Sequence, residues 1–432
     1  MTILFICEDS NRRGRLLLEA LVLILQQKSG SSFKIVLYCL NNSLNIQTDV
    51  IETRQFFWWD KVALDLYNTK ISAVFNVAWT GAHLSELIKI KSTGIPLISS
   101  FVDCPFSMTF YDKEGKLAKL QHEVCKISDA LIFRDERWLL QSATEKLGLI
   151  QNKIFFHDFL LQPAQKFNFL ENDKKRRLLF SGSFGSGCLE QEIGYLKIIK
   201  SLTKQKYEVV FMPQPGHCEF NISDSYYRES LINSRFHLLE SRNYGKCKEV
   251  LKATGWGLNL IQKTIFPCKS NRVSSDYLAA CSSNRNYDYT EEGLGSIISS
   301  NLSFMINIFN LSPSSLVVDP QNFFNLDKNL QRISKEFCTT KYREWERSNL
   351  LKNNLLQLSD FLLPYFSKRQ TLIQFDTKEF NISLGKILVQ KNQQALLKKK
   401  RNLLIRWGTS IGKRTLGFKK DRSLKKLLKS LK

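Results

Sequence analysis

The sequence contains no cysteine pattern that would hold a metal ion or form a redox pair. Its 432 residues include ten cysteines, and no two of them lie closer than thirteen residues apart. A zinc ribbon and a Cys-x-x-Cys motif both require much closer spacing, so the sequence excludes both. We predict reduced, mostly buried thiols, as in cytoplasmic proteins, and no metal site.

The sequence also lacks an apolar run long enough to cross a bilayer. Leu16 to Leu25 is apolar, but it is short and contains Glu19. The first apolar run, Ile3 to Cys7, ends at Glu8 and Asp9, and no secretory signal pattern opens the chain. We therefore expect a cytoplasmic protein, which would at most be peripheral on the inner face of a membrane.

Acidic residues are nearly absent from the C-terminal segment, residues 381–432. This segment has sixteen Lys or Arg and one acid, Asp421, so it carries +15 of the net charge of +23. The excess positive charge therefore belongs mainly to one segment rather than to the whole fold. It predicts binding of that segment to an anionic partner.

A glycine-rich stretch near the middle of the chain is the strongest local motif. An apolar run, Leu178 to Phe180, is followed by Gly182, Gly185 and Gly187 and then by a helical pattern from Glu190 to Leu202. A strand, a glycine turn and a helix open a nucleotide-binding βαβ unit, because glycines let the backbone approach a phosphate at a helix N-terminus. The spacing differs from the strict dinucleotide fingerprint, and a turn that simply needs a positive φ is the other interpretation.

Strand and helix patterns alternate before this stretch, which predicts a parallel sheet with right-handed crossovers. The predicted strands are Thr2–Cys7, Phe33–Leu40, Ala73–Ala78, Pro96–Phe101, Ala130–Phe133 and Lys153–Phe156.

The alternation resumes after the glycine-rich stretch. The predicted strands there are Leu178–Phe180, Tyr207–Met212, Phe236–Leu239, Gly257–Ile261, Arg285–Tyr289 and Leu316–Val318. We expect a helix from Glu291 to Asn307, with Glu291 and Glu292 as helix-start residues, and a long helical region from Phe337 to Phe366.

These patterns predict an α/β protein with two Rossmann-like, doubly wound parallel-sheet domains. We place the first domain at residues 1–167 and the second at 168–336, because the polar segment from Asn168 to Lys175 reads as a linker. A helical return at 337–368 and a basic amphipathic tail at 369–432 complete the chain.

Three segments, taken in their order, resemble the GT-B glycosyltransferases. Ser128 to Arg134 looks like the strand that ends a GT-B acceptor domain, and Lys175 to Gly182 looks like the first strand of a donor domain. The segment from Asn271 to Ala280 resembles the motif of glycosyltransferase family 4 that reads roughly Asn-x-Lys-hydrophobic-x-Glu-Tyr-Leu-Ala-Ala-Gly. Two departures stand out: Ser183 occupies a position where Arg is common, and Cys281 replaces the final glycine.

The resemblance implies a donor site at the C-terminal ends of the second domain's strands. Gly182, Ser183 and Gly185 would approach the donor diphosphate through the backbone. The side chains that would complete the site lie further along the chain: His217, Lys269, Asn271, Arg272 and Asp276. Lys269 and Arg272 would stabilise the departing nucleoside diphosphate without a metal ion, whereas Asp276 would bind a ribose or sugar hydroxyl. Each of these side chains has an ordinary alternative role, as a solvated loop, a helix-start residue or an exposed histidine.

The resemblance places the acceptor in the first domain. Asp103 follows a predicted buried strand and would act as a base or orient an acceptor hydroxyl, although Asp is also a common turn residue. His83 begins a predicted helix that would face the cleft. Gly14 and Arg15, together with Arg12 and Arg13, form the first strand–helix turn, where a phosphate group would dock; a solvated turn is the alternative.

The tail alternates leucines with basic residues and contains Trp407 and the run from Lys398 to Arg401. This composition favours an interfacial helix on an anionic membrane. A nucleic-acid arm would have fewer leucines, so we consider nucleic acid the less favoured partner, and a solvated tail remains a third interpretation.

Together these observations predict a membrane-peripheral GT-B glycosyltransferase that acts in cell-surface polysaccharide synthesis. It would move a sugar from a nucleotide-sugar donor, used as a substrate and not as a cofactor, to a glycan or lipid-linked acceptor. One alternative is a catalytically inactive GT-B-like protein that docks on a membrane or a nucleic acid through its tail. Another is a sugar-nucleotide epimerase of the same fold.

Overall fold

The structure is a computed structural model that describes part of the chain in fifteen segments. These are residues 1–7, 12–29, 32–39, 49–55, 70–78, 84–101, 116–134, 152–171, 176–182, 189–212, 224–239, 249–260, 279, 282–319 and 325–366.

The first sheet has seven parallel strands in the order β3-β2-β1-β4-β5-β6-β7. The strands are β1 (Thr2–Cys7), β2 (Lys34–Cys39), β3 (Ile51–Gln55), β4 (Ile71–Ala78), β5 (Leu97–Phe101), β6 (Ala130–Phe133) and β7 (Asn152–Phe155). The helices between them are α1 (Arg12–Ser29), α2 (Leu84–Ser92) and α3 (Lys116–Ile127). We call this sheet and its helices the first lobe.

The central strands of the first sheet are apolar on both faces because helices cover both faces. In β1, Ile3 and Phe5 join a core that includes residues of α1, whereas Leu4 and Ile6 join a core formed with α2 and α3. The near-continuous apolar run from Ile3 to Cys7 is thus the sequence signature of a strand buried on two sides.

The second sheet has six parallel strands in the order β10-β9-β8-β11-β12-β13. The strands are β8 (Arg177–Ser181), β9 (Glu208–Met212), β10 (Phe236–Leu238), β11 (Trp256–Asn259), β12 (Gly295–Ser299) and β13 (Ser315–Val318). The helices of this second lobe are α4 (Asn168–Glu171), α5 (Leu189–Lys204), α6 (Asp224–Ile232), α7 (Asn284–Glu291), α8 (Ser303–Phe309) and α9 (Leu326–Glu336). Residues 249–252 are also helical.

Both sheets have the doubly wound order, so the predicted fold class is confirmed. The chain starts each sheet at an inner strand, builds outward, and then returns to the other side of that first strand. In the second sheet the reversal falls between β8 and β11, and in such sheets a crevice opens at the carboxyl ends of these two strands.

The predicted helical return is present as two helices, α10 (Thr339–Ser348) and α11 (Leu356–Phe366), with a 3₁₀ turn at Leu351–Asn353. Leu358 and Leu362 of α11 lie in the same core as β1 and α1 of the first lobe. The hydroxyl of Tyr365 accepts a hydrogen bond from Asn152 Nδ2 at 2.8 Å. The chain therefore ends its second lobe and packs back on the first.

Two sequence predictions in the second lobe are wrong. Residues 285–289 form part of helix α7 and not a strand, and the predicted helix 291–307 contains strand β12. Glu291 consequently ends a helix and does not begin one. The turn between the two elements is at Gly293, which has φ +72°, and a Cβ there would lie 1.9 Å from the carbonyl oxygen of Lys166.

Both sheets belong to one compact unit, Met1–Thr371. The domain limits predicted at 167/168 and 336/337 remain predictions. The basic tail lies outside the described residues.

Candidate functional site

The carboxyl ends of β8 and β11, which we call the β8–β11 edge, carry the glycine turn that the sequence singles out. Strand β8 ends at Ser181, and Gly182 follows with φ +108°, a value that side-chain-bearing residues rarely adopt. The backbone N–H of Gly182 donates to the carbonyl of Met212 at 3.0 Å, which ties the turn to β9. This turn is compatible with both interpretations of the glycine stretch: a turn that simply needs a positive φ, and a turn whose backbone approaches a ligand.

Tyr289 of α7 contacts both strands of this edge through its hydroxyl group. Its hydroxyl oxygen accepts a hydrogen bond from the N–H of Ser181 at 3.0 Å. The same hydroxyl lies 3.3 Å from the carbonyl oxygen of Leu179 and 3.2 Å from that of Leu258, so it bridges β8 and β11. The ring needs space that only glycine leaves, because a Cβ on Gly257 would lie 2.1 Å from it.

Arg285 of α7 places a positive charge beside the glycine turn. Its Nη2 lies 3.1 Å from the position that a Cβ on Gly182 would occupy, and its guanidinium lies 4.5 Å from the ring centroid of Phe180. The Nη1 atom is buried and has no hydrogen-bond partner among the described residues. A buried donor of this kind is costly unless a ligand or water accepts from it, so Arg285 is suited to bind an anion.

Two buried asparagines extend the polar character of the edge. Asn259 ends β11, and its Nδ2 donates to Oδ1 of Asn286 in α7; both side chains are fully buried. Oδ1 of Asn259 and Nδ2 of Asn286 have no partner in the described part of the chain. One hydrogen-bond acceptor and one donor thus remain available beside Arg285.

The first lobe contributes Arg12, the first residue of α1, to the same helix α7. Nη1 of Arg12 donates to Oδ1 of Asp288 at 2.5 Å and to Oε2 of Glu291 at 3.1 Å, and Nη2 donates to Oε1 of Glu291. Burial alone would lower the pKa of Arg12, but the two carboxylates raise it above its usual value. Arg12 therefore remains charged and joins the two lobes.

A second group of charges lies deeper at the junction of the lobes. Asp158 accepts from Nη1 of Arg13 at 3.3 Å and from Nε of Arg134 at 2.7 Å, and Nη2 of Arg134 also donates to Oδ1 of Asn284. Burial would raise the pKa of Asp158, but Arg134, Arg13 and Arg12 together lower it. The alternative interpretation of the turn at 12–15, a solvated turn, is thus wrong for Arg12 and Arg13, whose side chains are buried and paired.

Only three of the predicted site residues lie within the described residues. Gly182 is at the β8–β11 edge, whereas Gly14 and Arg15 lie in the first turns of α1. Gly14 is buried, and Nε of Arg15 donates to Oε1 of Glu19 at 2.8 Å. The remaining predicted residues lie outside the described ranges: His83, Asp103, Ser183, Gly185, His217, Lys269, Asn271, Arg272 and Asp276.

Sequence reasoning missed α7 as a site element, although its sequence carries the signal. The family 4 motif has a basic residue three positions before its acid, a tyrosine directly after the acid, and a glycine five positions after it. Arg285, Asp288, Tyr289 and Gly293 have this spacing, and strand β12 follows directly. The segment at 271–280 keeps the asparagine, the Asp-Tyr pair and the Leu-Ala-Ala of the motif but not the glycine, so α7 is a second match to the motif.

Comparisons with known proteins identify the fold but not a family. No protein-family model matches the chain, and no curated protein sequence matches it. Among solved structures, the chain is similar to a glycosyltransferase from Rickettsia africae (TM-score 0.53, 10% identity, 85% of this chain and 99% of that chain). It is also similar to Anabaena HepE in complex with UDP and glucose (TM-score 0.54, 9% identity, 84% of this chain and 99% of that chain).

A third similar structure is the O-GlcNAc transferase of Thermobaculum terrenum (TM-score 0.50, 10% identity, 85% of this chain and 67% of that chain). The three structures share the GT-B architecture that the chain adopts, and at these identities they establish the fold alone.

No helix in the described ranges is both long and apolar enough to cross a membrane. The same ranges contain no group of three or more His, Cys, Asp or Glu side chains placed to bind a metal ion.

Proposed function

We propose that this chain is a GT-B glycosyltransferase that binds a nucleotide-sugar donor at the β8–β11 edge. The observation that carries the proposal is Arg285, whose buried Nη1 has no partner among the described residues and whose guanidinium lies beside Gly182. The similar Anabaena protein has UDP and glucose in its structure, which supports a nucleotide sugar as the ligand class.

The diphosphate of the donor would lie against the Gly182 turn. The absence of a side chain at Gly182 lets an oxygen approach the backbone, and the fork of N–H donors on Arg285 matches a phosphate group. When the glycosidic bond to the donor breaks, negative charge develops on the departing diphosphate. Arg285 would stabilise this charge in a preorganised position, which is the main catalytic contribution expected of such a site.

Arg285 also accounts for one departure from the family pattern. Ser183 stands where an arginine is common, so the turn itself lacks a cation. In this chain helix α7 supplies the positive charge from the other side of the glycine. Lys269 and Arg272 are further candidates for the same charge, and Ser183 and Gly185 for backbone contact with the phosphates.

The hydroxyls of the donor need hydrogen-bond acceptors, and Asp288 is placed to provide one. It lies three residues after Arg285 in α7, so both side chains project from the same side of the helix. Asp276, Asn271 and His217 keep their proposed parts in binding the donor.

The acceptor would enter from the first lobe, where Asp103, His83, Gly14 and Arg15 are the proposed contacts. We further propose a glycan or lipid-linked acceptor, action without a metal ion, and attachment to an anionic membrane through residues 381–432. The leucine-rich, basic composition of that segment supports the membrane over a nucleic acid.

The test is thermal unfolding of the purified chain with a panel of nucleoside diphosphates and nucleotide sugars. A ligand at about a hundred times its Kd should stabilise the native state by about 2.7 kcal/mol. Arg285→Met should abolish the shift, and Arg272→Ala should do so if Arg272 contacts the donor. The matched control is Arg177→Met, because Arg177 pairs with Glu208 at the opposite end of β8.

Product analysis then separates the proposal from its alternatives. A transferase releases the nucleoside diphosphate and joins the sugar to water or to an acceptor. An epimerase leaves the sugar on the nucleotide, and an inactive binding protein leaves the donor unchanged. Absence of a shift with every nucleotide in the panel would overturn the proposed function.

A further inference from the structure

The two carboxylates that contact Arg12, Asp288 and Glu291, differ in exposure and in how many of their oxygens accept hydrogen bonds. Glu291 is 8% exposed, and both of its oxygens are engaged: Oε1 also accepts from the N–H of Leu161 at 2.7 Å. Asp288 is 51% exposed. Its Oδ1 accepts from Arg12, and its Oδ2 has no hydrogen-bond partner in the described part of the chain. Glu291 therefore anchors Arg12, whereas Asp288 keeps one oxygen available.

Arg12 itself is fixed. Its side chain is 7% exposed, Nη2 donates to the carbonyl of Phe159 at 2.8 Å, and the guanidinium lies 5.3 Å from the ring centroid of Tyr287. A charged group held on several sides restrains the partner that it contacts, because any other orientation of the partner loses a charge-assisted hydrogen bond. Arg12 thus limits the orientations available to Asp288.

We propose that Arg12 of the first lobe is a positioning residue for donor binding by the second lobe. It holds Oδ1 of Asp288, so that Oδ2 is directed to accept a hydrogen bond from a hydroxyl of the nucleotide sugar while Arg285 binds its diphosphate. This inference rests on the proposed function and adds that a residue of the acceptor lobe controls donor affinity.

The charges around Asp288 support this role. Desolvation, together with the negative charge of Glu291, raises the pKa of Asp288 to about 6, and the positive charges of Arg12 and Arg15 limit this rise. Without Arg12, the like charge of Glu291 would act on Asp288 with only Arg15 to oppose it. A carboxylate that must be ionised to accept a hydroxyl should then require a higher pH.

The experiment measures the Kd of UDP and of GDP by calorimetry between pH 5 and 8, with inorganic pyrophosphate as the second probe. Pyrophosphate has the two phosphates but no hydroxyl on a sugar. The variants are Arg12→Gln and Arg12→Lys, each alone and combined with Asp288→Asn. Arg177→Gln is the control for loss of a partly buried arginine from an ion pair.

Arg12→Gln should weaken binding of the better nucleotide about tenfold at pH 7, the loss expected for one hydrogen bond to a charged group. It should raise the pH midpoint of binding by about one unit. Arg12→Lys should be intermediate, and in the Asp288→Asn background neither substitution should have a further effect. At 0.3 M salt, pyrophosphate should bind each variant with nearly the same affinity as it binds the parent chain.

Two results would overturn the inference while the proposed function stands. The first is nucleotide binding that is unchanged in affinity and pH profile by Arg12→Gln and Arg12→Lys. The second is a loss of affinity that is equal for pyrophosphate and nucleotide, or that is the same with Asp288 and with Asn at position 288. Either outcome would make Arg12 a structural or purely electrostatic residue. If Arg12→Gln unfolds, Arg12→Lys gives the same comparison with the charge retained. Failure of the parent chain to bind either nucleotide or pyrophosphate would instead reject the donor site itself.

Discussion

Arg134 donates a hydrogen bond from Nε to Oδ2 of Asp158 at 2.7 Å, although the two side chains are only 9% and 0% exposed. Arg13, which is fully buried, contacts the other oxygen of Asp158. Because Arg134 also bonds Asn284 of α7, this buried group links the end of the first sheet to the helix that carries Arg285. The stability of the chain and the position of the candidate site therefore depend on the same carboxylate.

Asp158→Asn should destabilise the chain strongly. The substitution keeps the shape but removes the negative charge that Arg13 and Arg134 contact, and breaking a buried ion pair costs about 3–5 kcal/mol. Chemical denaturation gives the change in the free energy of unfolding. The control, Glu208→Gln, breaks a partly exposed pair with Arg177 and should cost less than about 1 kcal/mol. Equal effects of the two substitutions would show that the buried network contributes little.

His157 should make the chain less stable as the pH falls. The centroid of its ring lies 4.1 Å from the ring centroid of Phe159 and 6.0 Å from that of Phe304. Burial lowers the pKa of His157 to about 4; Asp158 opposes this effect and Arg13 adds to it. Below its ordinary pKa of about 6.5, the unfolded chain takes up a proton that the folded chain does not.

Neutral His157 therefore contributes its full share of the free energy of unfolding, about 3 kcal/mol, above about pH 6.5. This contribution is lost as the pH falls toward 4. The measurement compares unfolding of the parent chain and of His157→Gln from pH 7.5 to 4.5. The variant should lose less stability over this range, because its side chain does not titrate. Parallel curves for the two proteins would contradict the prediction.

The glycine turn, most of the strands and the doubly wound class could be predicted because each depends on local sequence. Apolar runs identify strands that are buried on both faces, and glycine marks a positive φ at 182. Helix α7 could not be identified in this way, because Arg-Asn-Tyr-Asp-Tyr alternates like a strand. In the fold, Asn286, Tyr287, Tyr289 and Thr290 are buried, and positions 286, 289 and 290 have the i, i+3, i+4 spacing of one helix face.

The pairing of Arg12 with Asp288 and Glu291 was equally hidden. These residues are 276 and 279 positions apart in sequence, and nothing in the turn at 12–15 distinguishes a buried arginine from a solvated one. Only the packing of the two lobes determines whether Arg12 is buried or solvated. The sequence therefore predicts the sheet edge where a ligand would bind and marks the side chains of α7 by their spacing, whereas the contact between α1 and α7 requires the fold.

Gly257→Ala should destabilise the second lobe and weaken nucleotide binding. The added Cβ would lie 2.1 Å from the ring of Tyr289, so the ring or α7 must move, and overpacking of this kind costs about 1–3 kcal/mol. Displacement of Tyr289 would also remove the hydroxyl that fixes Ser181. Ser296→Ala, at the position that pairs with Gly257 in β12, is the control, because it adds no atoms.

Thermal unfolding and the Kd of the selected nucleotide are measured for both variants. The alanine at 257 should lower both stability and affinity, and the alanine at 296 should leave the affinity unchanged. A Gly257→Ala chain with normal stability and affinity would show that the site does not depend on the tight packing of Tyr289 against β11.

The basic tail should bind anionic vesicles through the run from Lys398 to Arg401. Each basic residue near an anionic surface contributes about 1 kcal/mol, so replacing all four by Ser in the full chain should weaken binding by up to about a thousandfold. A control chain loses the same charge at four exposed lysines of the lobes: Lys28, Lys197, Lys204 and Lys335. Sedimentation with phosphatidylserine vesicles and with neutral vesicles measures the difference. If both chains lose binding equally, net charge and not the tail attracts the membrane, and if the parent chain binds single-stranded RNA more tightly than vesicles, the tail is a nucleic-acid arm.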